Sequence, residues 1–487
     1  MKKSIQRVIC IVVIMAVELS AVACGKKTDN YVMESTTLNN QPVENANVSI
    51  ITYTVPDFCR IDNNHLQLFN EELLADGYEY KLEIKYLKSN RYSENLENEL
   101  NNGNTDVAFL GLDDGSNNIY NLIDSGLILN LDDILTSDKG SVVYEAFPDA
   151  LWESVKSNGH IYSIPNTNAD DQSIYAVFNK DYIGYEAIES WDGSIESIYE
   201  IIKNVEWDDE LSPRFQYLLN DYRFEEMINC EIRNGLLYDY DTMQIVNPLE
   251  SEKFISFLRV LEQMKDDGYM DDSVSYHENT VSSKALENLQ SENFLVVLAA
   301  GEPDDIFIKD NFVIKKISPY LSTRISGSIG ISSKTNNVNA VVDFLGLLYG
   351  EEKYGNILLY GNQDVDFKLI DGFAFNKDGT DMEDKFLTKL SLNLFINIYP
   401  VKGERYSYNR KEQYFSFYDD VKLSPFIGFE VDTGGNTIIP SDLDDFLNSL
   451  NWESLDKAVR DYSEILEADG IDEYLSSVRK QWDTYKQ

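Results

Sequence analysis

Basic residues, histidine, cysteine and long apolar runs are all scarce in this chain. Lysine and arginine number 41 against 84 aspartates and glutamates, a formal net charge of -43 over 487 residues. Phosphate backbones are bound by basic footprints and none is visible, which argues against nucleic acid as a partner. Adsorption to an anionic membrane face is disfavoured on the same ground. The three histidines, His65, His160 and His277, include no pair at the i, i+4 spacing of a His-Glu-x-x-His zinc helix. No metal site is expected. Gly-x-Ser-x-Gly and Gly-x-Gly-x-x-Gly are also missing, and Gly330 to Thr335 has a lysine without the preceding glycine of a phosphate loop. The expectation is therefore a protein without a cofactor and without an enzymatic activity. A two-carboxylate glycosidase stays open only because so many acidic residues make close pairs unavoidable and uninformative.

Four cysteines are present, Cys10, Cys24, Cys59 and Cys230. The first lies in an apolar run from Val8 to Val17, preceded by Lys2, Lys3 and Arg7, which reads as a secretory signal. At about ten residues this run is far short of the ~20 that a membrane-spanning helix needs. Ala21-Val22-Ala23-Cys24-Gly25 resembles the lipobox of bacterial lipoproteins, which implies cleavage after residue 23 and lipidation (a palmitoyl-type anchor) on Cys24. Two departures are visible: Ala21 stands where leucine is usual, and Glu18 ends the apolar region with a charge. Residues 24–47 carry few large apolar side chains and no periodicity, so they read as a tether. The expected location is the extracellular face of the cell membrane, held by the lipid.

From Val48 onward, about 440 residues are too many for one small core and suit two lobes. Strand and helix patterns alternate: strands over Val48 to Val55, Tyr80 to Leu87 and Thr105 to Leu110, with a helix over Leu66 to Leu74 between the first two. Ligands of open α/β sheets collect beyond the carboxyl ends of strands, so Tyr53 is either a ligand contact or a packing residue of the sheet. Asp113 and Asp114, in the turn after the third strand, either accept hydrogen bonds from solute hydroxyls or cap a helix. The stretch from Gly159 to Asp181 is the centre of the reading. Its apolar segment Ile161 to Ile164 ends at Pro165, and a second apolar run, Ile174 to Phe178, starts after a polar connector. That connector, with Asn166, Asn168, Asp170, Asp171 and Gln172, is either a polar surface loop or a crossing between lobes that presents convergent hydrogen-bonding groups.

Further on, Glu252 to Lys265 carries Phe254, Phe257, Leu258, Leu261 and Met264 at the spacing of a one-sided helix that ends before Gly268. Phe294 to Ala300 and Phe312 to Ile317 read as strands, Gly327 to Ile331 as a return to the first lobe, and Val338 to Tyr349 as an apolar helix. Trp152 and Trp191 stand beside apolar helix patterns and read as structural.

The order of Asp-Val after a strand, Gly126-Leu127-Ile128-Leu129, Gly159-His160-Ile161-Tyr162-Ser163-Ile164-Pro165 and Phe178-Asn179-Lys180-Asp181 resembles the extracellular solute-binding proteins of ABC importers, family 1, which includes maltodextrin-binding proteins. Ser424-Pro425-Phe426-Ile427-Gly428-Phe429, Ala468-Asp469-Gly470-Ile471-Asp472 and Arg479-Lys480-Gln481-Trp482 look like the C-terminal extension of a subgroup associated with oligosaccharide uptake. The resemblance implies an α/β, two-lobe periplasmic-binding-protein-like fold with a hinge, an interlobe cleft and a helical C-terminal extension. Its expected division is 48–165 with 319–365 in the first lobe, and 166–318 with 366–487 in the second. Cys59 and Cys230 then fall in different lobes, where a disulfide would restrain closure, so no bond between them is expected. In the turn after Ala300, relatives often carry an aromatic residue toward the ligand; here Glu302 stands there, which suits a more polar solute.

The expected function is a monomeric receptor that captures a small solute, an oligosaccharide in preference, and hands it to an ABC transporter permease. The ligand-binding set is Tyr53, Asp113, Asp114, Asn166, Asn168, Asp170, Asp171, Gln172 and Glu302. Two alternatives stay open besides the glycosidase. A cationic solute such as a polyamine would be held by Asp113, Asp114, Asp170, Asp171 and Glu302, and a surface polysaccharide adhesin would bind without import.

Overall fold

Two sheets, each with its own helices, follow from the alternation of short β-branched runs with amphipathic stretches. The computed structural model describes residues 48–486 apart from 112–117, 167–173, 208–213, 219–226, 271–291, 301–308, 318–319, 322–326, 396, 403–409, 420 and 450–453. Contacts divide the chain into two compact units, one built from Thr37–Asp171 with Tyr320–Glu430, the other mainly from Gln172–Pro319 with Val431–Gln487. Among the described residues no helix is long and apolar enough to cross a membrane.

The N-terminal unit is organised on the strand Ser49–Pro56, whose Ile51, Tyr53 and Val55 alternate onto one wholly buried face. It pairs in parallel with Tyr80–Leu87 on one side and with Val107–Phe109 on the other. Ile329–Ile331 then runs antiparallel to Val107–Phe109, and Ser163–Ile164 antiparallel to Ile329–Ile331. Five strands thus lie in the spatial order 80–87, 49–56, 107–109, 329–331, 163–164. The helix Asn63–Ala75 makes the first parallel crossover, its first turn capped by the Asp62 carboxylate and its buried Phe69 and Leu73 set against the sheet. The helices Val338–Gly350 and Glu352–Tyr360 cover the same core. Trp152 is structural, stacked on Tyr144 and donating its indole N–H to the Tyr144 carbonyl.

The second unit is centred on Ile174–Asn179, every residue of which is buried. This strand is antiparallel to both Val296–Ala300 and Phe312–Ile317, and Phe215–Leu218 adds in parallel beyond Val296–Ala300. The helix Glu252–Asp266 buries Phe254, Phe257, Leu258, Leu261 and Met264, is capped by the Ser251 hydroxyl, and stops at Gly268 with φ 75°. A separate meander, Cys230–Arg233, Leu236–Asp239 and Gln244–Val246, turns at Asn234-Gly235, where φ is 52° and 75°. Positive φ at both central residues is what a tight two-residue hairpin requires. The last helix, Ile471–Tyr485, rests on this meander through Tyr474 to the Asn234 carbonyl, Arg479 to the Ile245 carbonyl and Trp482 to the Met243 carbonyl.

Residues 366–430 depart from the expected division, which places them in the second lobe with the C-terminal helices. They pack in the N-terminal unit. The reason is a set of long-range bonds: the Tyr53 phenol donates to the Ser391 carbonyl at 3.2 Å, and the Asn393 amide donates to the Pro165 carbonyl at 2.8 Å.

Cys59 and Cys230 are both buried free thiols and lie in different units. Burial pushes each thiol up to about 12. Thiolate is the reactive form, so neither should react at mildly alkaline pH in the native state. Iodoacetamide at about pH 8 is expected to modify Cys59 and Cys230 only after denaturation. Peptide mapping that found either alkylated in the folded protein would contradict this packing.

Candidate functional site

Three chain segments meet at the carboxyl edge of the N-terminal sheet. Val107–Phe109 and Ser163–Ile164 both run antiparallel to Ile329–Ile331, so their carboxyl ends and the start of Ile329–Ile331 share one edge. Leu110 donates its N–H to the Ser328 carbonyl and accepts from the Gly327 N–H, both at 2.8 Å. Gly111 follows with φ 70°, a left-handed conformation that glycine adopts without strain. Pro165 terminates Ser163–Ile164, and Asn166, only 6 % exposed, sends its side-chain amide to the Gly327 carbonyl at 2.5 Å and to the Leu390 carbonyl at 3.1 Å. Leu110-Gly111, Pro165-Asn166 and Gly327-Ser328 are thereby brought together. Residues 112–117 and 167–173 follow Gly111 and Asn166 in the chain and lie outside the described residues.

A single short helix floors this edge. Phe386–Leu392 ends at Asn393, which has φ 57° and ψ 43°. Near its start the Thr388 hydroxyl donates to the Arg60 carbonyl and accepts from the Arg60 N–H, both at 3.0 Å, just beyond the end of Ser49–Pro56. Near its end it receives Asn166 at Leu390, and Asn393 reaches back to Pro165. The strand ends are thus tied to one another through a helix more than 200 residues later in the chain.

Tyr53 is not at a surface. It is wholly buried, its ring meets Phe344 edge-on at 6.5 Å between centroids, and its phenol donates to the Ser391 carbonyl. Burial, followed by the neighbouring Tyr349, raises its phenol well above the usual value. Tyr92 is likewise raised by burial and donates to both the Thr54 and the Phe109 carbonyls. Of the two expected ligand contacts that the structure describes, Tyr53 therefore packs in the core. Asn166 stands at the strand-end edge with both amide hydrogens committed to backbone carbonyls. Asp113, Asp114, Asn168, Asp170, Asp171, Gln172, Glu302 and Cys24 lie outside the described residues.

Sequence reasoning passes over Asn393, Tyr349 and Thr388. Asn393 has one local signal, an asparagine inside the apolar run Leu390 to Phe395, where a left-handed residue or a buried amide is the usual reason. A cavity lined by Ala146, Phe147, Leu348, Tyr349, Asn393, Leu394 and Asn397 lies behind it. Its volume of about 10 Å³ admits roughly one water and no sugar ring. Among the described residues, no group of three or more His, Cys, Asp or Glu side chains is placed to hold a metal ion.

No family model and no curated protein matches the chain. Among solved structures it is similar to the N-glycan transport solute binding protein NgtS of Streptococcus pneumoniae, at 22 % identity and a TM-score of 0.63, over 90 % of this chain and 99 % of that one. The same protein in complex with Man1GlcNAc aligns at 20 % identity and a TM-score of 0.53, over 90 % and 99 % of the two chains. Its complex with Man5GlcNAc aligns at 20 % and 0.51, over 90 % and 98 %. The chain thus has the two-lobe α/β fold of periplasmic-type solute-binding proteins.

Proposed function

We propose that this chain is an extracellular, lipid-anchored solute-binding protein that captures a carbohydrate, in particular an oligosaccharide, and delivers it to an ABC transporter permease. The observation that carries the reading is the carboxyl edge of the N-terminal sheet, where Leu110, Asn166 and Gly327 are held together by short hydrogen bonds. Open α/β sheets take their ligands beyond the carboxyl ends of strands, and loops that leave from one fixed edge can present several polar groups to one solute. Support for a sugar comes from the shared fold, since the similar structures include complexes with Man1GlcNAc and Man5GlcNAc. The leader pattern ending in Ala23-Cys24 supports the anchor and the extracellular location. A binding role, with a solute held and released unchanged, asks for no catalytic group.

Thermal unfolding against Man1GlcNAc, Man5GlcNAc, a maltodextrin series and spermidine tests the proposal. A ligand at 100 times its dissociation constant should add about 2.7 kcal/mol to stability, a shift of several degrees. A shift with at least one oligosaccharide and none with spermidine is the expected result. The excess of acidic residues favours one second reading, a cationic solute. A salt-sensitive shift with spermidine alone would transfer the function to it. No shift with any sugar would remove the carbohydrate proposal.

A further inference from the structure

We infer that Asn393, backed by Tyr349 and Tyr53, is a positioning residue for the solute, fixing the Pro165-Asn166 main chain at the strand-end edge. This rests on the proposed carbohydrate-binding role of that edge.

Pro165 has no N–H, so its place in the edge cannot be set by a donor of its own. It is set through its carbonyl, which accepts from the Asn393 amide at 2.8 Å. Asn166 answers in the opposite sense by donating to the Leu390 carbonyl at 3.1 Å. The dipeptide 165–166 and the helix end 390–393 therefore hold each other by two reciprocal bonds, each made by an asparagine side chain to the other's backbone. A slide of either segment lengthens both.

Behind the pair stands a second layer. Tyr349, on the helix Val338–Gly350, donates to the Leu392 carbonyl at 3.4 Å, and its phenol lies beside the Tyr53 phenol and Asn393. Tyr53 donates to the Ser391 carbonyl from the central strand. The core strand, a covering helix and the end of Phe386–Leu392 all bear on Asn393, which is 3 % exposed. Buried bonds of this kind are shielded from bulk water, so the geometry they set is stiff. Sugar hydroxyls are read by hydrogen bonds whose strength falls steeply with misalignment, and a supporting layer that loosens its front residues lowers affinity without touching the ligand.

Asn393→Gly is the informative substitution, because glycine keeps the positive φ while removing the side chain and with it the amide. Full-length protein, wild type and variant, is titrated with Man5GlcNAc and with maltotetraose by calorimetry, well below both unfolding midpoints. Expected is a loss of affinity of about tenfold or more with unchanged stoichiometry and unchanged far-ultraviolet circular dichroism. Tyr349→Phe, which leaves Asn393 in place and removes its backing, should show a smaller loss in the same direction. A purely structural role would lower the unfolding midpoint and leave the dissociation constant within about twofold, and that result overturns the inference alone. Failure of wild type to bind either sugar is a different outcome, since it removes the carbohydrate reading and the positioning role with it.

Discussion

Raising the pH from 10 to 11 should cost the N-terminal unit about 3 kcal/mol of stability through Tyr53, Tyr92 and Tyr349 alone, three of the phenols that the fold keeps neutral. Tyr53 and Tyr92 are wholly buried and Tyr349 nearly so, and burial is the largest cause of the upward displacement of each. A group whose folded pKa lies above its unfolded value contributes its full stability below the unfolded value. That stability is lost as pH rises, here from about 10 upward, because the unfolded chain releases protons that the folded one retains. Each phenol contributes about 1 kcal/mol of loss over the first unit and approaches 1.4 kcal/mol per unit beyond it. Against a typical total of 5–15 kcal/mol for a folded domain, the loss is large enough to bring unfolding into an accessible range near pH 11–12. The measurement is a pH titration followed by tyrosinate absorbance and circular dichroism together. Part of the absorbance rise should coincide with the loss of secondary structure in one cooperative step. Tyr92→Phe should reduce the steepness of that step, while lowering stability near neutral pH because the Thr54 and Phe109 carbonyls lose this donor. A smooth titration of all tyrosines with an unchanged dichroism spectrum would show that these rings ionise inside the fold.

The same residues explain what a linear chain can and cannot reveal. Runs such as Ser49–Pro56, Ile174–Asn179 and Glu252–Asp266 carry their pattern in their own residues, so their type is legible in the amino-acid order alone. Tyr53 is ambiguous there because period two assigns it to the Ile51 and Val55 face without saying whether that face meets solvent, solute or core. Its burial depends on Phe344 and Ser391, roughly 300 residues later in the chain. Residues 366–430 mislead for the same reason. A hairpin and a short helix look alike wherever they pack, and what decides is Thr388 on Arg60 and Asn393 on Pro165. Asn166 is legible as a polar residue at a strand end. That its amide is spent on two carbonyls is not, because neither acceptor is near it in sequence.

Replacing Asn166 with aspartate should be among the most damaging single changes in the N-terminal unit, even though the two side chains have almost the same shape. Asparagine donates twice here, to the Gly327 and Leu390 carbonyls, at a position that is nearly sealed from water. An aspartate carboxylate has no hydrogen to give and would set its negative charge against two carbonyl oxygens. Neither the Gly327 nor the Leu390 carbonyl would receive a hydrogen from residue 166, and a charge would be set where water is nearly excluded, for a combined cost of about 3–5 kcal/mol at neutral pH, or roughly 10 °C in unfolding midpoint. The direction with pH is the discriminating feature. Desolvation and facing carbonyls raise the folded pKa of such a carboxyl above its unfolded value near 3.9, so the variant recovers part of its stability as pH falls toward that value and loses it as pH rises. The protonated acid can donate once, which restores one of the two bonds. Asn166→Ser, which donates once at every pH and carries no charge, should sit between wild type and aspartate with no such pH dependence. Equal midpoints for the aspartate variant and wild type at neutral pH would mean that the amide does not hold Gly327 and Leu390 together. The strand-end edge would then lack the fixed geometry on which its assignment as the solute-binding edge depends.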